Sequence, residues 1–467
     1  MQLLESRQGA HGRRGFRRRG PRRAVAFVTA LIGGAATTVF LVHRAGEPSP
    51  GTPRAADQVI GRVGGAAPAS WPAWGFTHTQ FSAGEGEGRP EATGAARDAI
   101  ARRPLVQAQA IMGWGVDNPK PTRYDDNLHS LDRRIELIRQ TDGIPVITLC
   151  CAPDWMKGGY QGQTDWSRIE LAPEPRFYAD FARLAAQIAR RYPDVRYYVV
   201  WNEFKGFFDE TRNHWDAVRY TQLYNQVYTA LKAVNAEIRV GGPYLPMNSY
   251  STGWRGPSSA VRGPWGSIDR RSLHAVEYWL EHKKGADFIV VDGFTASEDR
   301  GLVPDEFTAL GKFSAVTTWL RGRAGRLPVW WAEWYVAPEN TVWTETRRTA
   351  VLTAAMMEFA RSGAATALYW SPQRSDTAAC AGCLWAADTG RPTAVLDMLQ
   401  KFARWFPVGT ELVRVPAEPA SVRVLAQRRH LVVVNTAAEP ADATVDGRRL
   451  RLDGYEVRWV DRERAAG

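Results

Sequence analysis

The 467-residue chain exceeds one ordinary domain but fits one large barrel with a small appendage. Its 44% hydrophobic and 23% charged residues are typical of a globular protein and exclude a disordered chain. The net charge of +11 does not indicate a nucleic-acid-binding protein, because residues 1–23 hold eight arginines against one glutamate and the rest of the chain is much closer to neutral.

The N-terminal region has the features of an export signal. Residues 1–23 are basic, and residues 24–42 form 19 uncharged positions, about enough to cross a bilayer as a helix. Because positive charge tends to stay in the cytoplasm, we expect the body of the protein outside the cell. Three alternatives are open: an uncleaved membrane anchor, a cleaved Sec-type signal, and a twin-arginine signal suggested by GRRGFRR at residues 12–18. The prediction is a single-pass membrane protein with an extracellular body, or a secreted protein.

A barrel is predicted after a flexible linker at residues 43–72, which is rich in Pro, Gly and Ala. Continuous apolar runs, typical of parallel strands buried on both faces, alternate with amphipathic segments over residues 73–404. Eight such units favour a (β/α)8 TIM barrel over a doubly wound open sheet, since no glycine-rich phosphate turn follows the first strand. The strand candidates are Trp74–His78, Leu105–Met112, Pro145–Cys150, Arg196–Trp201, Ile238–Gly241, Phe288–Val291, Val329–Ala332 and Ala367–Trp370.

The pattern changes after residue 404. Turn signals such as Asp446-Gly447 separate short β-rich runs, which are Ser421–Ala426, His430–Asn435, Ala443–Val445 and Glu456–Val460. Residues 405–467 are therefore predicted to form a small antiparallel β-sandwich domain.

The four cysteines are a vicinal pair, Cys150-Cys151, and a Cys380-x-x-Cys383 motif. Export permits disulfides, whereas a zinc site would need two suitably spaced Cys-x-x-Cys motifs. We expect packed thiols or a local bridge between Cys380 and Cys383. The eight histidines are scattered, and neither a metal nor another cofactor is predicted.

Two glutamates stand at the predicted ends of strands. The fourth strand runs into VVWNE, which ends at Glu203, and the seventh runs into WWAEW, which contains Glu333. In a barrel of this kind the chemistry lies at the carboxyl ends of the strands. The fourth and seventh strands lie across the mouth from each other, and glycoside hydrolysis needs two carboxyl groups that flank an acetal carbon. The alternative is a pair of ordinary glutamates that cap helices or pair with arginine.

These motifs resemble those of the retaining glycoside hydrolases of the clan A (β/α)8 superfamily. TLCCAPDWM at residues 148–156 and the late β-rich domain look most like glycoside hydrolase family 39, which holds β-xylosidases, α-L-iduronidases and exopolysaccharide hydrolases. The resemblance implies that Glu203 is the general acid/base, Glu333 the nucleophile, and Asn202 a partner of the sugar 2-hydroxyl. A retaining mechanism implies carboxyl groups about 5–5.5 Å apart, with the higher pKa on Glu203.

Further substrate-binding candidates stand near other strand ends. Trp370 ends the eighth strand, where clan relatives have a platform under the sugar. Trp155 ends the loop after the third strand, and His78 ends the first strand. Core packing is the alternative for each of the three. Relatives often end the sixth strand with His-x-Tyr, whose tyrosine contacts the nucleophile, but this chain has Asp292 and Phe294 there. Asp292 is either a substitute hydrogen-bonding group or a plain strand-end residue.

The sequence thus predicts an exported retaining glycosidase that acts on an extracellular poly- or oligosaccharide. Its expected partners are this carbohydrate and the cell membrane. Two alternatives remain: a transglycosidase that remodels a surface polysaccharide, and a catalytically impaired sugar-binding protein on the same fold. The long loop Pro246–Asp269 is expected to wall the mouth of the barrel. The sugar, the linkage and the choice between exo and endo action stay open.

Overall fold

The computed structural model describes residues 57–79, 81–109, 128–162, 164–336, 342–370, 373 and 380–462. The predicted basic region and apolar segment, residues 1–23 and 24–42, lie outside these ranges. Pro53–Gly467 form one compact unit. In the part of the chain that is described, no helix combines the length and the apolar character that a membrane span requires.

A closed barrel of eight parallel strands forms the centre of the fold. Strand β1 (Val59–Arg62) lies outside it. The barrel strands, in chain order, are β2 (Trp74–Thr77), β3 (Val106–Ala108), β4 (Ile144–Leu149), β5 (Tyr197–Val200), β8 (Arg239–Pro246), β12 (Phe288–Phe294), β13 (Val329–Tyr335) and β14 (Thr366–Trp370). Each overlaps one of the eight predicted strands, so the predicted TIM barrel is confirmed. The barrel closes between β14 and β2, which pair in parallel.

Helices surround the barrel. They are α1 (Pro90–Ala101), α2 (His129–Gln140), α3 (Tyr178–Arg191), α4 (Ala217–Val234), α5 (Arg270–His282), α6 (Glu306–Ala309), α7 (Gly311–Arg323), α8 (Glu345–Ser362) and α9 (Ala394–Trp405). In α3 the residues at helical spacing, Phe181, Leu184 and Ile188, are fully buried against the barrel. Asp216 caps the start of helix α4, because its carboxylate accepts a hydrogen bond from the Arg219 backbone N–H at 3.0 Å.

Apolar side chains fill the barrel interior. Phe288 and Trp330 stack with ring centroids 4.1 Å apart. Trp71, which precedes the first barrel strand, contacts Tyr197, Phe288 and Trp330 edge-on and covers the amino end of the barrel. This end is therefore a packed core, and any cavity for chemistry must lie at the carboxyl end.

The C-terminal region forms two three-stranded antiparallel sheets. One holds β16 (Ala417–Glu418), β19 (Ala441–Val445) and β20 (Arg448–Leu452), and the other holds β17 (Val422–Ala426), β18 (His430–Asn435) and β21 (Val457–Asp461). Strands β19 and β20 are joined by Asp446-Gly447, both with positive φ (55° and 78°), as a tight hairpin turn requires. Strand β20 is absent from the predicted β-rich runs. The facing apolar side chains of the two sheets form one small core, as expected for a sandwich.

Part of the predicted linker is ordered. Within residues 43–72, strand β1 pairs with β15 (Glu411–Val413) in antiparallel fashion, and Val63 is fully buried. The prediction of a flexible linker therefore does not describe these residues. The prediction used local composition alone, which cannot show a pairing partner about 350 positions further along the chain.

The loops after the fourth and fifth barrel strands carry small sheets of their own. The first contains a short hairpin of β6 (Phe208–Asp209) and β7 (His214–Trp215). The second, the predicted wall Pro246–Asp269, contains β9 (Ser249–Tyr250), β10 (Ser258–Gly263) and β11 (Gly266–Asp269). Both loops start at the carboxyl end of the barrel.

Candidate active site

Glu203 is held by an unusual turn at the end of β5. Trp201, Glu203 and Phe204 all have positive φ, at 70°, 47° and 53°. Non-glycine residues rarely adopt this conformation, and it persists only where surrounding contacts enforce it. Here the fully buried Trp201 donates from Nε1 to the Lys205 carbonyl at 2.8 Å. The turn leaves the Glu203 side chain 24% exposed at the mouth of the barrel.

Glu333 reaches the mouth through a β-bulge. Val291 of β12 pairs with Trp331, but the next residue, Asp292, pairs with Glu333, so Ala332 is skipped. An extra residue in one strand re-aims the side chains that follow it. The shift places Glu333 beside Asp292 in register, and both residues are buried.

A second bulge on the other side of β12 positions Tyr244, which was not among the predicted site residues. Val290 pairs with Pro243 and Val291 with Leu245, so Tyr244 is skipped, and its φ is 57°. Its ring is buried among the residues that fill the barrel, and its hydroxyl group faces the Glu333 carboxyl group closely enough to lower the pKa of that group. The hydroxyl missing at Phe294 is thus supplied from the fifth strand.

Three carboxyl groups therefore meet at the mouth: Glu203, Asp292 and Glu333. Burial and the negative charge of Glu203 raise the pKa of Glu333 to about 8, although the Tyr244 hydroxyl opposes this shift. Burial, together with the charge of Glu203 and a hydrogen bond to it, raises the pKa of Asp292 well above its usual value. Like charges at close range cannot all be ionised, so the site retains protons at neutral pH.

Glu203 is the member that stays ionised. Burial alone would raise its pKa, but Lys205 and hydrogen bonds from Asp292 and Asn202 hold the pKa below its usual value. The Lys205 ammonium lies 2.9 Å from Glu203 Oε2 and 2.7 Å from Glu170 Oε1. The prediction that Glu203 has the higher pKa of the catalytic pair is therefore wrong for this conformation, because it left out the cation two residues away.

Unpaired polar atoms lie in the same cluster of carboxyl groups. Asn202 is fully buried and donates to Glu203 Oε2 at 3.3 Å. Within the described residues, no hydrogen-bond partner is found for Asn202 Oδ1, Asp292 Oδ1 or Glu333 Oε1. Buried acceptors without partners cost free energy, and a ligand rich in hydroxyl groups would satisfy them.

A row of half-buried aromatic rings lines one side of the mouth. Phe294, Tyr335 and Trp370 end the three consecutive strands β12, β13 and β14. Phe294 and Tyr335 stack at 5.1 Å, and Tyr335 and Trp370 lie 5.8 Å apart with tilted rings. The negative charges of Glu203, Asp292 and Glu333 help to raise the pKa of Tyr335, after burial. Trp370, predicted as a sugar platform, therefore belongs to a row that adjoins the three carboxyl groups.

His78 and Trp155 lie in less accessible positions. His78 is buried, with Nδ1 2.7 Å from Ser82 Oγ and Nε2 2.9 Å from Gln107 Oε1. Both ring nitrogens are occupied, and burial and the Arg134 charge hold its pKa well below the usual value. Trp155 is 9% exposed and packs edge-on against Phe177. These contacts favour the packing alternative for both residues.

The cysteines form two local disulfides, Cys150–Cys151 and Cys380–Cys383. The first follows the third barrel strand directly, and both of its residues are buried. In the described ranges, no cluster of His, Cys, Asp or Glu side chains is arranged to hold a metal ion.

Solved structures share this fold at low sequence identity. A glucosidase from Croceicoccus marinus aligns with a TM-score of 0.52 at 14% identity, over 83% of this chain and 78% of that one. A GH39 β-xylosidase from Caulobacter crescentus aligns with a TM-score of 0.51 at 15% identity, over 82% of this chain and 80% of that one. A GH39 enzyme from Xanthomonas axonopodis pv. citri aligns with a TM-score of 0.50 at 15% identity, over 82% of this chain and 75% of that one. No protein-family model matches the chain, and no curated protein matches it in sequence.

These alignments show that the chain shares the fold of these enzymes. Two of the three structures are family 39 enzymes, which agrees with the family suggested by the sequence motifs. The roles of individual residues rest on the geometry of this chain.

Proposed function

We propose that this protein is a retaining glycoside hydrolase that cleaves O-glycosidic bonds of an extracellular poly- or oligosaccharide. One observation carries the proposal: a turn and a β-bulge bring Glu203 and Glu333, from the fourth and seventh strands, into the same cluster of carboxyl groups. Two carboxyl groups in one mouth are the minimum for double displacement at an acetal carbon.

The reactive form of the site is the one in which Glu333 is ionised and Glu203 carries a proton. In the first step, Glu333 attacks the anomeric carbon while Glu203 protonates the departing oxygen. The C–O bond to the leaving group breaks, and a glycosyl ester forms on Glu333. In the second step, Glu203 takes a proton from water, whose oxygen attacks the same carbon and releases Glu333. Two displacements on one carbon restore the starting configuration.

Two features support a sugar as the substrate. The unpaired oxygens of Asn202, Asp292 and Glu333 match a ligand with many hydroxyl donors. The row Phe294–Tyr335–Trp370 offers half-buried ring faces beside them. The names of the similar structures, a glucosidase and β-xylosidases, agree with this substrate class.

The Tyr244 contact bears on the alternative of a sugar-binding protein without activity. This alternative was considered because Phe294 replaces the tyrosine of the His-x-Tyr pattern. Since the Tyr244 hydroxyl reaches Glu333 from another strand, the nucleophile keeps a hydrogen-bond donor. This favours an active enzyme.

The proposal includes export. The basic residues 1–23 before the apolar residues 24–42 favour a membrane anchor or a signal, with the catalytic body outside the cell. Protease added to intact cells should then remove the body. A body that stays protected until the cells are lysed would contradict this part of the proposal.

The activity is tested by incubating the full-length protein with a panel of aryl glycosides and bacterial polysaccharides, with Glu333→Gln as the control. We expect hydrolysis that the control lacks, and NMR of the first-formed product should show the anomer of the substrate. Transfer to another sugar in place of water would indicate the transglycosidase. Binding without turnover would indicate the sugar-binding protein, and an inverted product would refute the mechanism.

A further inference from the structure

Asp292 has no assigned part in the two-step reaction, yet it lies between its two carboxyl groups. It is in β12, which pairs with β13 on one side and β8 on the other. Its register partner is Glu333, and its carboxyl group lies close enough to Glu203 for the two to share a hydrogen bond when one of them is protonated. The residue is 5% exposed, and its Oδ1 has no partner in the described structure.

Six titratable groups surround Asp292. They include one close cation, two carboxyl groups, two tyrosines and a more distant buried lysine: Lys205, Glu203, Glu333, Tyr244, Tyr335 and Lys312. Lys205 forms its ion pair with Glu203, not with Asp292. Lys312 instead donates to the Phe294 carbonyl at 2.6 Å. No cation therefore pairs directly with Asp292 in the described cluster, and the neutral form of this side chain is favoured.

This arrangement creates a difficulty for a site with only two carboxyl groups. Lys205 favours a charge on Glu203, so a single proton shared by Glu203 and Glu333 would rest on Glu333. That is the wrong distribution, because the nucleophile must be ionised and the acid must be neutral. A third carboxyl group removes the difficulty when it holds a proton beside Glu203 while Glu333 is ionised.

We propose that Asp292 is a positioning residue that stores the proton used by Glu203, so that Glu203 can act as an acid in the form of the site in which Glu333 is ionised. The inference rests on the proposed glycosidase function and deepens it. In the resting site, the protonated Asp292 donates a hydrogen bond to the ionised Glu203, which agrees with the lowered pKa of Glu203 and the raised pKa of Asp292.

The transfer is balanced. The O–H bond of Asp292 breaks, an O–H bond forms on Glu203, and the negative charge moves from Glu203 to Asp292. Glu203 then gives this proton to the leaving oxygen. In the second step Glu203 takes a proton from water, and its return to Asp292 restores the resting site. No external acid or base is consumed.

The first test locates the proton and needs no turnover. The full-length protein is labelled with ¹³C at the aspartate side-chain carboxyl carbon, so that infrared bands of aspartic acid separate from those of glutamic acid. At neutral pH we expect a protonated aspartate band in the unmodified protein and its loss in Asp292→Asn. Asp397→Asn, the same change at an exposed position of α9, should keep the band.

Absence of that band from the unmodified protein overturns the proposal without any variant. Its persistence in Asp292→Asn does so as well. Should Asp292→Asn fail to fold, Asp292→Ser serves the same purpose, and thermal unfolding identifies the folded variant. A protein that hydrolyses no glycoside would refute the proposed function while the infrared test still reports where the proton lies.

The second test asks whether the stored proton is used. For glycosides with poor leaving groups, Asp292→Asn should lower kcat/KM by about 10²-fold or more, because acid assistance is worth that much. Aryl glycosides with strongly activated leaving groups should be nearly unaffected, and the alkaline limb of the pH profile should move to lower pH. Equal losses on both substrate types, with an unchanged pH profile, would mean that Asp292 only supports the structure.

Discussion

Two aspartates lie near opposite ends of β12, and the groups around them differ in charge. Asp287, at the amino end, accepts from the Val240 backbone N–H at 2.9 Å and pairs with Lys232 at 2.9 Å and Arg239 at 3.2 Å. Asp292, at the carboxyl end, lies beside two other carboxyl groups and has an oxygen without a partner. The aspartate at the amino end is thus paired with cations, whereas the aspartate at the carboxyl end lies among other carboxyl groups.

The difference extends to the backbone. At the amino end, Trp71 covers a packed interior. At the carboxyl end, the register slips at Tyr244 and Ala332, and Glu203 has a positive φ. Stabilising interactions therefore lie at the amino end of the barrel, and strained or incompletely paired groups lie at the carboxyl end. This is expected when a functional site lowers the stability of the region that holds it.

The sharpest way to test this division is Glu333→Gln. It should lower turnover at least about 10⁴-fold on every substrate, because no ester can form without the carboxylate. Steady-state kinetics measure this. Added azide should partly restore activity in Glu333→Ala and give a product of inverted configuration. Undiminished activity in either variant would remove Glu333 from the mechanism.

Glu203→Gln should have a smaller effect that depends on the leaving group. Loss of acid assistance costs about 10²–10⁴-fold on poor leaving groups and little on activated ones. A plot of the rate against leaving-group pKa should become steeper in the variant. A uniform loss across all leaving groups would argue against the acid/base role.

The substitution Tyr244→Phe tests whether the Tyr244 hydroxyl acts on Glu333. Its hydroxyl lowers the pKa of Glu333, which is about 8, so its removal should raise that pKa and move the acid limb of kcat/KM to higher pH. Loss of a hydrogen bond to a charged group corresponds to roughly 10- to 100-fold in rate. An acid limb that does not move would show that Tyr244 does not act through Glu333.

The carboxyl end should also have its own dependence of stability on pH. The pKa of Glu333 rises from 4.5 to about 8 on folding, so between these values the folded state retains a proton that the unfolded state releases. Its contribution to stability is full below about pH 4.5 and is lost as pH rises through about 8, by up to about 1.4 kcal/mol per pH unit. Glu333→Gln should flatten this slope in pH-dependent unfolding. An unchanged slope would contradict the raised pKa.

Asp287→Asn is the counterpart at the amino end. The substitution weakens contacts to Lys232 and Arg239, which are partly exposed, and should lower the free energy of unfolding by about 1–3 kcal/mol. The kcat and the pH profile should stay as they are. A change in the pH profile would break the division between the two ends of the barrel.

Local sequence signals were sufficient to predict the barrel and the position of the two glutamates at the ends of its strands. Continuous apolar runs identified the eight barrel strands, and the position of Glu203 and Glu333 at strand ends identified the candidate site. Both signals are local, because burial on two faces and the end of a strand are visible in a short stretch of chain.

The missed features depend on contacts between distant residues. The bulge at Tyr244 exists only in the pairing of β8 with β12, and PYLP carries no motif for it. The order of the carboxyl pKa values depends on Lys205, whose charge was visible but whose 2.9 Å approach to Glu203 was not. Strand β1 similarly depends on β15, far along the chain.

The central claim, that Glu333 is the nucleophile in a cluster of three carboxyl groups, is tested most directly by trapping the covalent intermediate. The glycoside turned over fastest is remade as a 2-deoxy-2-fluoro sugar with an activated leaving group, which slows breakdown of the glycosyl ester. Mass spectrometry of peptides from the inactivated full-length protein should then locate one sugar on Glu333. A sugar on Glu203 or Asp292, or an inverted product with no adduct, would contradict the account.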